Sequence, residues 1–225
     1  LHDALPIFKG KAVAVIDDRT AYGQGVADDF SKAVLAAGAK VVAKGFTADK
    51  ATDFRAILTT IKGKKADVIF FGGMDAVAGP MLKQMKSLGI TAKFVGGDGI
   101  CTEELMSLAG DAIVDDQVVC AQAGGVEGEG RTDLDAFKAR YKVRFGTDIQ
   151  VYAPYTYDAV RVMVAAMVKA RSANPVKYLP ALAATNDFKG VTGQISFDAK
   201  GDIRNAALTL KTVRAGRLET LAVIR

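Results

Sequence analysis

"AVIDDRTAYGQGVADDF", residues 14–30, opens on an apolar run, breaks at two acidic residues and carries Tyr22, Gly23 and Gly25 before apolar positions resume at helical spacing. Strand, glycine loop and helix in that order are the layout of a nucleotide site. The spacing removes that reading. A dinucleotide fingerprint needs its first glycine at the strand end and a small residue at the sixth position. Here five residues, Asp18 to Tyr22, precede Gly23, and the sixth position counted from it is Asp28. No Lys-Ser or Lys-Thr pair follows, so a P-loop is excluded as well. The loop nevertheless lies beyond the carboxyl end of a strand, where open α/β sheets bind ligands. Tyr22 therefore reads either as a ligand contact at a helix N-terminus or as a surface aromatic packed on its own loop.

The same alternation continues on both sides. Residues 12–16 form a continuous apolar run, as expected of a parallel strand buried on both faces. A helix is expected over 22–37, ended by Gly38, then a strand over 40–46 and a helix over 53–62. Residues 67–71 read as a strand ending in Gly72-Gly73, followed by a helix over 76–88 in which Pro80 is tolerable only in the first turn. A short strand at 93–95, the "GGDG" loop, a helix near 102–108 and a strand at 117–121 complete the series. Five strands separated by helices imply an open parallel sheet with helices on both faces.

After Ala121 the character changes. "QAGGVEGEGRT", residues 122–132, is Gly-rich and polar, a linker or crossover. Helices are expected over 132–145, 155–171 and 176–184, then a turn-rich strand pair in "GVTGQISFDAKGD" (190–202). Strands at 206–214 and 219–224 flank the turn at Ala215-Gly216. The helical segment has no five-stranded sheet of its own. It exposes apolar surface unless something outside this chain covers it.

Composition limits the chemistry. The chain has 225 residues, 50% hydrophobic and 24% charged, an ordinary globular mixture. Mean hydropathy is +0.16, and no apolar run reaches the ~18 residues of a membrane span. The net charge of +5 is scattered, with one dense cluster at Lys62, Lys64 and Lys65, which argues against nucleic acid as a partner. The single histidine, His2, leaves histidine-based acid–base or triad chemistry without a residue to run it. The two cysteines, 101 and 120, stand in no metal-ligand spacing, so neither metal nor cofactor is expected. "LHDALPI", residues 1–7, lacks the basic head and long apolar run of a secretory signal and is expected to be a non-native remnant, with native sequence missing upstream.

The strand ends supply further candidates. "FFGGMDA" (70–76) places Met74 and Asp75 at the mouth of a helix, where Asp75 is either an N-terminal cap or a ligand contact. "VGGDGI" (95–100) places Asp98 at a strand tip between glycines. A carboxylate there suits a ligand ammonium group, and equally suits the local hydrogen bonds of a turn. "IQVYAPYTYDAV" (149–160) holds Tyr152, Tyr155 and Tyr157, three of the six tyrosines. They read as pocket wall or, for at least two of them, as periodic core packing.

Taken together, "DDRTAYGQGVA", "ADVIFFGGMDAVAGPMLKQMKSLGI", "FVGGDGI", "LAGDA", "YAPYTYDAV" and "GVTGQISFDAKGD" resemble, in order, the periplasmic solute-binding proteins of the leucine/isoleucine/valine-binding type. These are the extracytoplasmic subunits of ATP-driven (ABC) amino-acid uptake systems. The resemblance covers residue 8 to the C-terminus. It implies the type I periplasmic-binding-protein fold, two α/β lobes that close on the ligand, with most of the first lobe missing from this chain. Residues 8–121 would form the second lobe, 122–202 a segment returning to the first, and 203–225 a crossover with terminal strands back on the second.

Carried over by position, Tyr22 matches a tyrosine that closes over the ligand, and Asp98 matches the acid that pairs with the ligand ammonium, where relatives often have Glu. Met74 falls where well-known members have tyrosine, which changes the pocket's shape. Tyr152 falls near an aromatic pocket wall, with Tyr155 an equal candidate. For Cys101 and Cys120 two readings stand: a disulfide, which an oxidising periplasm permits, or two buried thiols.

The function implied is a periplasmic, non-enzymatic substrate-binding subunit, monomeric when intact. Its ligand would be a branched-chain or related zwitterionic amino acid, and its partner a membrane permease. The alternatives are a ligand-sensing domain of a receptor or regulator with the same fold, or a flavodoxin-like or nucleotide-binding enzyme.

Overall fold

The structure, a computed structural model, describes residues 12–124 and 129–224. The expectation for residues 1–7 lies outside them, as does part of the Gly-rich stretch at 122–132. The chain divides into two compact units: one runs to Ala123 and resumes over Leu208–Ile224, the other is Gly124–Ala207.

The first unit is built on a sheet of order β2-β1-β3-β4-β5-β8-β9. Five strands are mutually parallel: β1 (Ala12–Asp17), β2 (Lys40–Phe46), β3 (Val68–Gly72), β4 (Lys93–Gly96) and β5 (Val118–Ala123). The hairpin of β8 (Leu208–Arg214) and β9 (Arg217–Ile224) extends the β5 edge antiparallel. Helices α1 (Ala21–Ala36), α2 (Arg55–Gly63), α3 (Asp75–Ser87) and α4 (Glu103–Ala109) alternate with the strands. The run of apolar residues in each central strand is explained by burial on both faces. Val13, Val15, Phe70 and Val95 pack with Phe30 and Val34 of α1 on one side. Ala14, Ile16, Phe71 and Phe94 pack with Leu58, Met81 and Leu105 of α2, α3 and α4 on the other. Phe30 and Phe70 stack with ring centroids 4.0 Å apart.

Pro80 does not sit in the first turn of its helix. It lies inside α3, which continues through it. A proline there removes one backbone bond and crowds the preceding turn. The helix holds because Val77, Ala78, Met81, Leu82 and Met85 on the same element are all buried in the core.

The second unit contains α5 (Glu129–Phe145), α6 (Ala153–Ala170), α7 (Pro175–Ala183) and a small hairpin of β6 (Phe188–Gly190) and β7 (Gly193–Ile195). Asp158 of α6, 1% exposed, ties the hairpin down. Its carboxylate accepts the N–H groups of Val191 (3.0 Å) and Thr192 (2.7 Å) and the Thr192 hydroxyl (2.7 Å). Along α6, Val160, Val164 and Val168 recur every four residues and are 49%, 49% and 71% exposed. Val176 and Leu179 of α7 are also exposed.

Candidate functional site

The carboxyl ends of β1, β3 and β4 converge on one edge of the first unit's sheet, and three short loops meet there. The β1–α1 loop begins with Asp18, which is buried. Its Oδ1 accepts from the backbone N–H (3.0 Å) and hydroxyl (2.6 Å) of Thr20. Thr20 in turn caps α1 by accepting the Gly23 N–H at 2.9 Å. This fixes the first turn of α1 and so aims Tyr22 at the β4 tip. The Tyr22 hydroxyl donates to Asp98 Oδ1 at 2.9 Å and accepts the Gly99 N–H at 3.1 Å.

The glycines allow this approach. A Cβ on Gly97 would lie 2.6 Å from the Tyr22 hydroxyl. One on Gly99 would lie 2.6 Å from the Gly73 carbonyl oxygen and 2.8 Å from Met74 Sδ. One on Gly23 would collide with Asp18 Oδ1 and lie 2.5 Å from the Gly72 carbonyl oxygen. Glycine at these positions reflects the close passage of one loop against another.

Met74 is 44% exposed and precedes α3 beside Gly99. Asp75 is committed to the protein's own donors: Oδ1 accepts the Ala76 N–H at 2.7 Å and Oδ2 the Thr102 hydroxyl at 2.6 Å. It therefore links the start of α3 to that of α4, which Thr102 caps through the Leu105 N–H. Cys101 follows the short 3-10 turn Asp98–Ile100 and is disulfide-bonded to Cys120 of β5, with Cα atoms 5.3 Å apart. Arg19, at φ 63°, closes the outer side of the edge with its guanidinium 3.7 Å from the centroid of the Phe46 ring.

The structure thus brings Tyr22, Met74, Asp75 and Asp98 to one edge. Tyr152 and Tyr155 belong to the second unit. Tyr152 is 45% exposed at the start of α6. Tyr155 lies against Gly124 (φ +98°), and burial pushes its phenol above the usual range. Tyr157 packs on Phe137 at 4.8 Å between centroids, the packing role. Among the described residues no cluster of His, Cys, Asp and Glu could hold a metal, and no helix is long and apolar enough to cross a membrane.

A cavity of about 290 Å³ at the opposite ends of the strands, lined by Lys86, Ile90, Lys93 and Gln117 among others, is a poorer candidate. Lys86 is already bonded to Asp111 and Lys93 to the Asp116 carbonyl. Thr20, Gly99 and Thr102 organise the sheet edge without having been singled out as site residues. Thr20 and Thr102 were detectable as hydroxyl residues just before helices. Gly99 carried no sequence signal beyond its place in a glycine-rich loop.

A profile of the family described as "Periplasmic binding protein" matches residues 6–217. The chain is 35% identical over 205 residues to the leucine-, isoleucine-, valine-, threonine- and alanine-binding protein of Pseudomonas aeruginosa, covering 90% of this chain and 53% of that protein. It is also 35% identical over 197 residues to Leu/Ile/Val-binding protein homolog 1 of Brucella abortus, covering 87% and 51%. It spans about half the length of these curated relatives. In fold it is similar to the leucine-binding protein LivK of Thermotoga maritima, with a TM-score of 0.85 at 24% identity over 98% of this chain and 62% of that one. A further neighbour is the branched-chain amino acid transporter substrate-binding protein LivJ of Streptococcus pneumoniae, solved with isoleucine, with a TM-score of 0.76 at 27% identity over 98% and 61%.

Proposed function

The chain belongs to the periplasmic binding protein family, and on that premise we propose that it is part of an extracytoplasmic substrate-binding subunit of an ABC uptake transporter. The ligand we propose is a branched-chain or related amino acid, captured by closure of two lobes and delivered to a membrane permease. The role is binding without chemistry. Differential affinity for the closed form would drive the shift.

The observation that carries this reading is the Tyr22–Asp98 contact at the carboxyl edge of the sheet. A carboxylate presented at a strand tip, beside a tyrosine and an exposed methionine, offers an ammonium group a charged partner and an alkyl side chain an apolar one. The relatives' names point to the same ligand class. Tyr152 and Tyr155 enter the proposed set on the resemblance alone. We assign Gly124–Ala207 to a lobe completed by residues outside this chain, because its helices expose an apolar stripe and the relatives are about twice as long.

Calorimetry of the full-length protein against leucine, isoleucine, valine, a nucleotide and a sugar tests the ligand class. Binding of the branched-chain amino acids is expected. Silence toward all of them, with binding of the nucleotide or sugar, would overturn it.

A further inference from the structure

The turn that carries Asp98 is held from three directions. From α1, Tyr22 bonds both the Asp98 carboxylate and the Gly99 N–H. From α3, Asp75 accepts the Thr102 hydroxyl just beyond the turn. From β5, Cys120 is joined to Cys101, the residue that closes the turn by donating its N–H to the Asp98 carbonyl at 3.0 Å. Only the last of these anchors is covalent.

Its placement is specific. Cys120 pairs in register with Gly96, the last residue of β4. The strand pairing therefore anchors the entry to the turn on β5, and the disulfide anchors its exit on the same residue of β5. The segment between, Gly97 to Ile100, contains two glycines and a single 3-10 turn. Such a turn has too few internal bonds to persist alone, and glycine widens the conformations open to it. Both cysteines are 1% exposed, so the bond is packed within the sheet's own core.

We infer that the Cys101–Cys120 disulfide is a positioning element for ligand recognition: it holds the 98–100 turn where the Asp98 carboxylate meets Tyr22 and faces the ligand's ammonium group. The inference rests on the proposed role of Asp98.

The test is a double variant, Cys101→Ala with Cys120→Ala, in the full-length protein. Amide exchange is read at Gly99 and, as references, at Val15 and Phe70 in the sheet. L-leucine affinity is measured by calorimetry with Asp98 intact and with Asp98→Asn. Gly99 exchange should accelerate at least about tenfold more than that of Val15 and Phe70, whose rates report the general loss of stability when a disulfide is removed. Leucine affinity should fall about tenfold with Asp98 present and less than about twofold in the Asp98→Asn background, the signature of coupled residues. Unchanged Gly99 exchange overturns the inference. So does acceleration only in step with the reference amides, or an equal affinity loss in both backgrounds. If the unaltered protein binds no leucine, the proposed function fails, and the Gly99 arm still decides the positioning role. If the alanine pair does not fold, Cys101→Val with Cys120→Ala keeps more core volume and is read in the same way.

Discussion

Gly23 sets how closely the β1–α1 loop approaches the end of β3. A methyl group there meets Asp18 Oδ1 and the Gly72 carbonyl, and the latter is backbone that cannot swing aside. Gly23→Ala should therefore destabilise the first unit by about 1–3 kcal/mol, the usual range for overpacking, measured as a lower urea midpoint. An unchanged midpoint would mean that the loop can move away from the Gly72 carbonyl at little cost. Tyr155 gives a second residue-scale test. Burial raises its phenol pKa, so the neutral form is favoured in the fold. The associated stability is intact below the unfolded pKa of about 10 and is lost as pH rises from there through the raised folded value. In a spectroscopic titration Tyr155→Phe should remove one tyrosine that ionises above the ordinary range.

At this scale the sequence disclosed candidates but not partners. Tyr22 and Asp98 each stood out through their place at a strand end. Their contact joins residues 76 apart in the chain, and no local pattern encodes it. Asp75 carried both a capping and a ligand reading, and only the position of Thr102, 27 residues on, showed where its second oxygen is engaged.

Asp158 and the β6–β7 hairpin make up the corresponding case among elements. A buried carboxylate accepts two backbone N–H groups and a hydroxyl from the turn 190–193, and Gly190 leaves room for it, since a Cβ there would strike the carboxylate. Asp158→Ala strands these donors, at about 1–3 kcal/mol for each group left buried and unpaired. Hydrogen exchange at Val191 and Thr192 should accelerate well before that of α6 itself. Equal protection in the variant would remove Asp158 as the hairpin's anchor.

The central strands were legible because each is a short apolar run bounded by polar residues or glycine, and burial on both faces demands that pattern. Their ends moved by a residue or two because strand ends carry no comparable constraint. Pro80 went against expectation: local chemistry places proline in a first turn, whereas burial of α3's apolar face outweighs the bond it removes.

Across the whole molecule the two units differ in how far their apolar faces are covered. The first wraps a sheet with helices on both faces. Among the described residues the second has three helices and a two-stranded hairpin, and it leaves Val160, Val164 and Val168 exposed in one stripe. Contiguous apolar surface of this kind promotes association. The 225-residue chain alone should therefore elute as larger species on gel filtration, and a form extended to the length of its relatives as a monomer. Replacing Val164 with Lys should shift the short chain toward monomer, and no shift would place the association elsewhere. That exposure was anticipated from helices lacking a sheet of their own, because periodicity reports which face is apolar but not what covers it.

Above all we propose that Asp98 recognises the ammonium group of an amino acid. Calorimetry of the full-length protein and its Asp98→Ala variant, each with L-leucine and with 4-methylpentanoate, which lacks that group, tests it most directly. We expect Asp98→Ala to weaken leucine by about 2–5 kcal/mol, the cost of leaving a buried charge unpaired, and not to weaken 4-methylpentanoate, which offers the Asp98 carboxylate no cationic partner. Equal leucine affinity in the two proteins would contradict it.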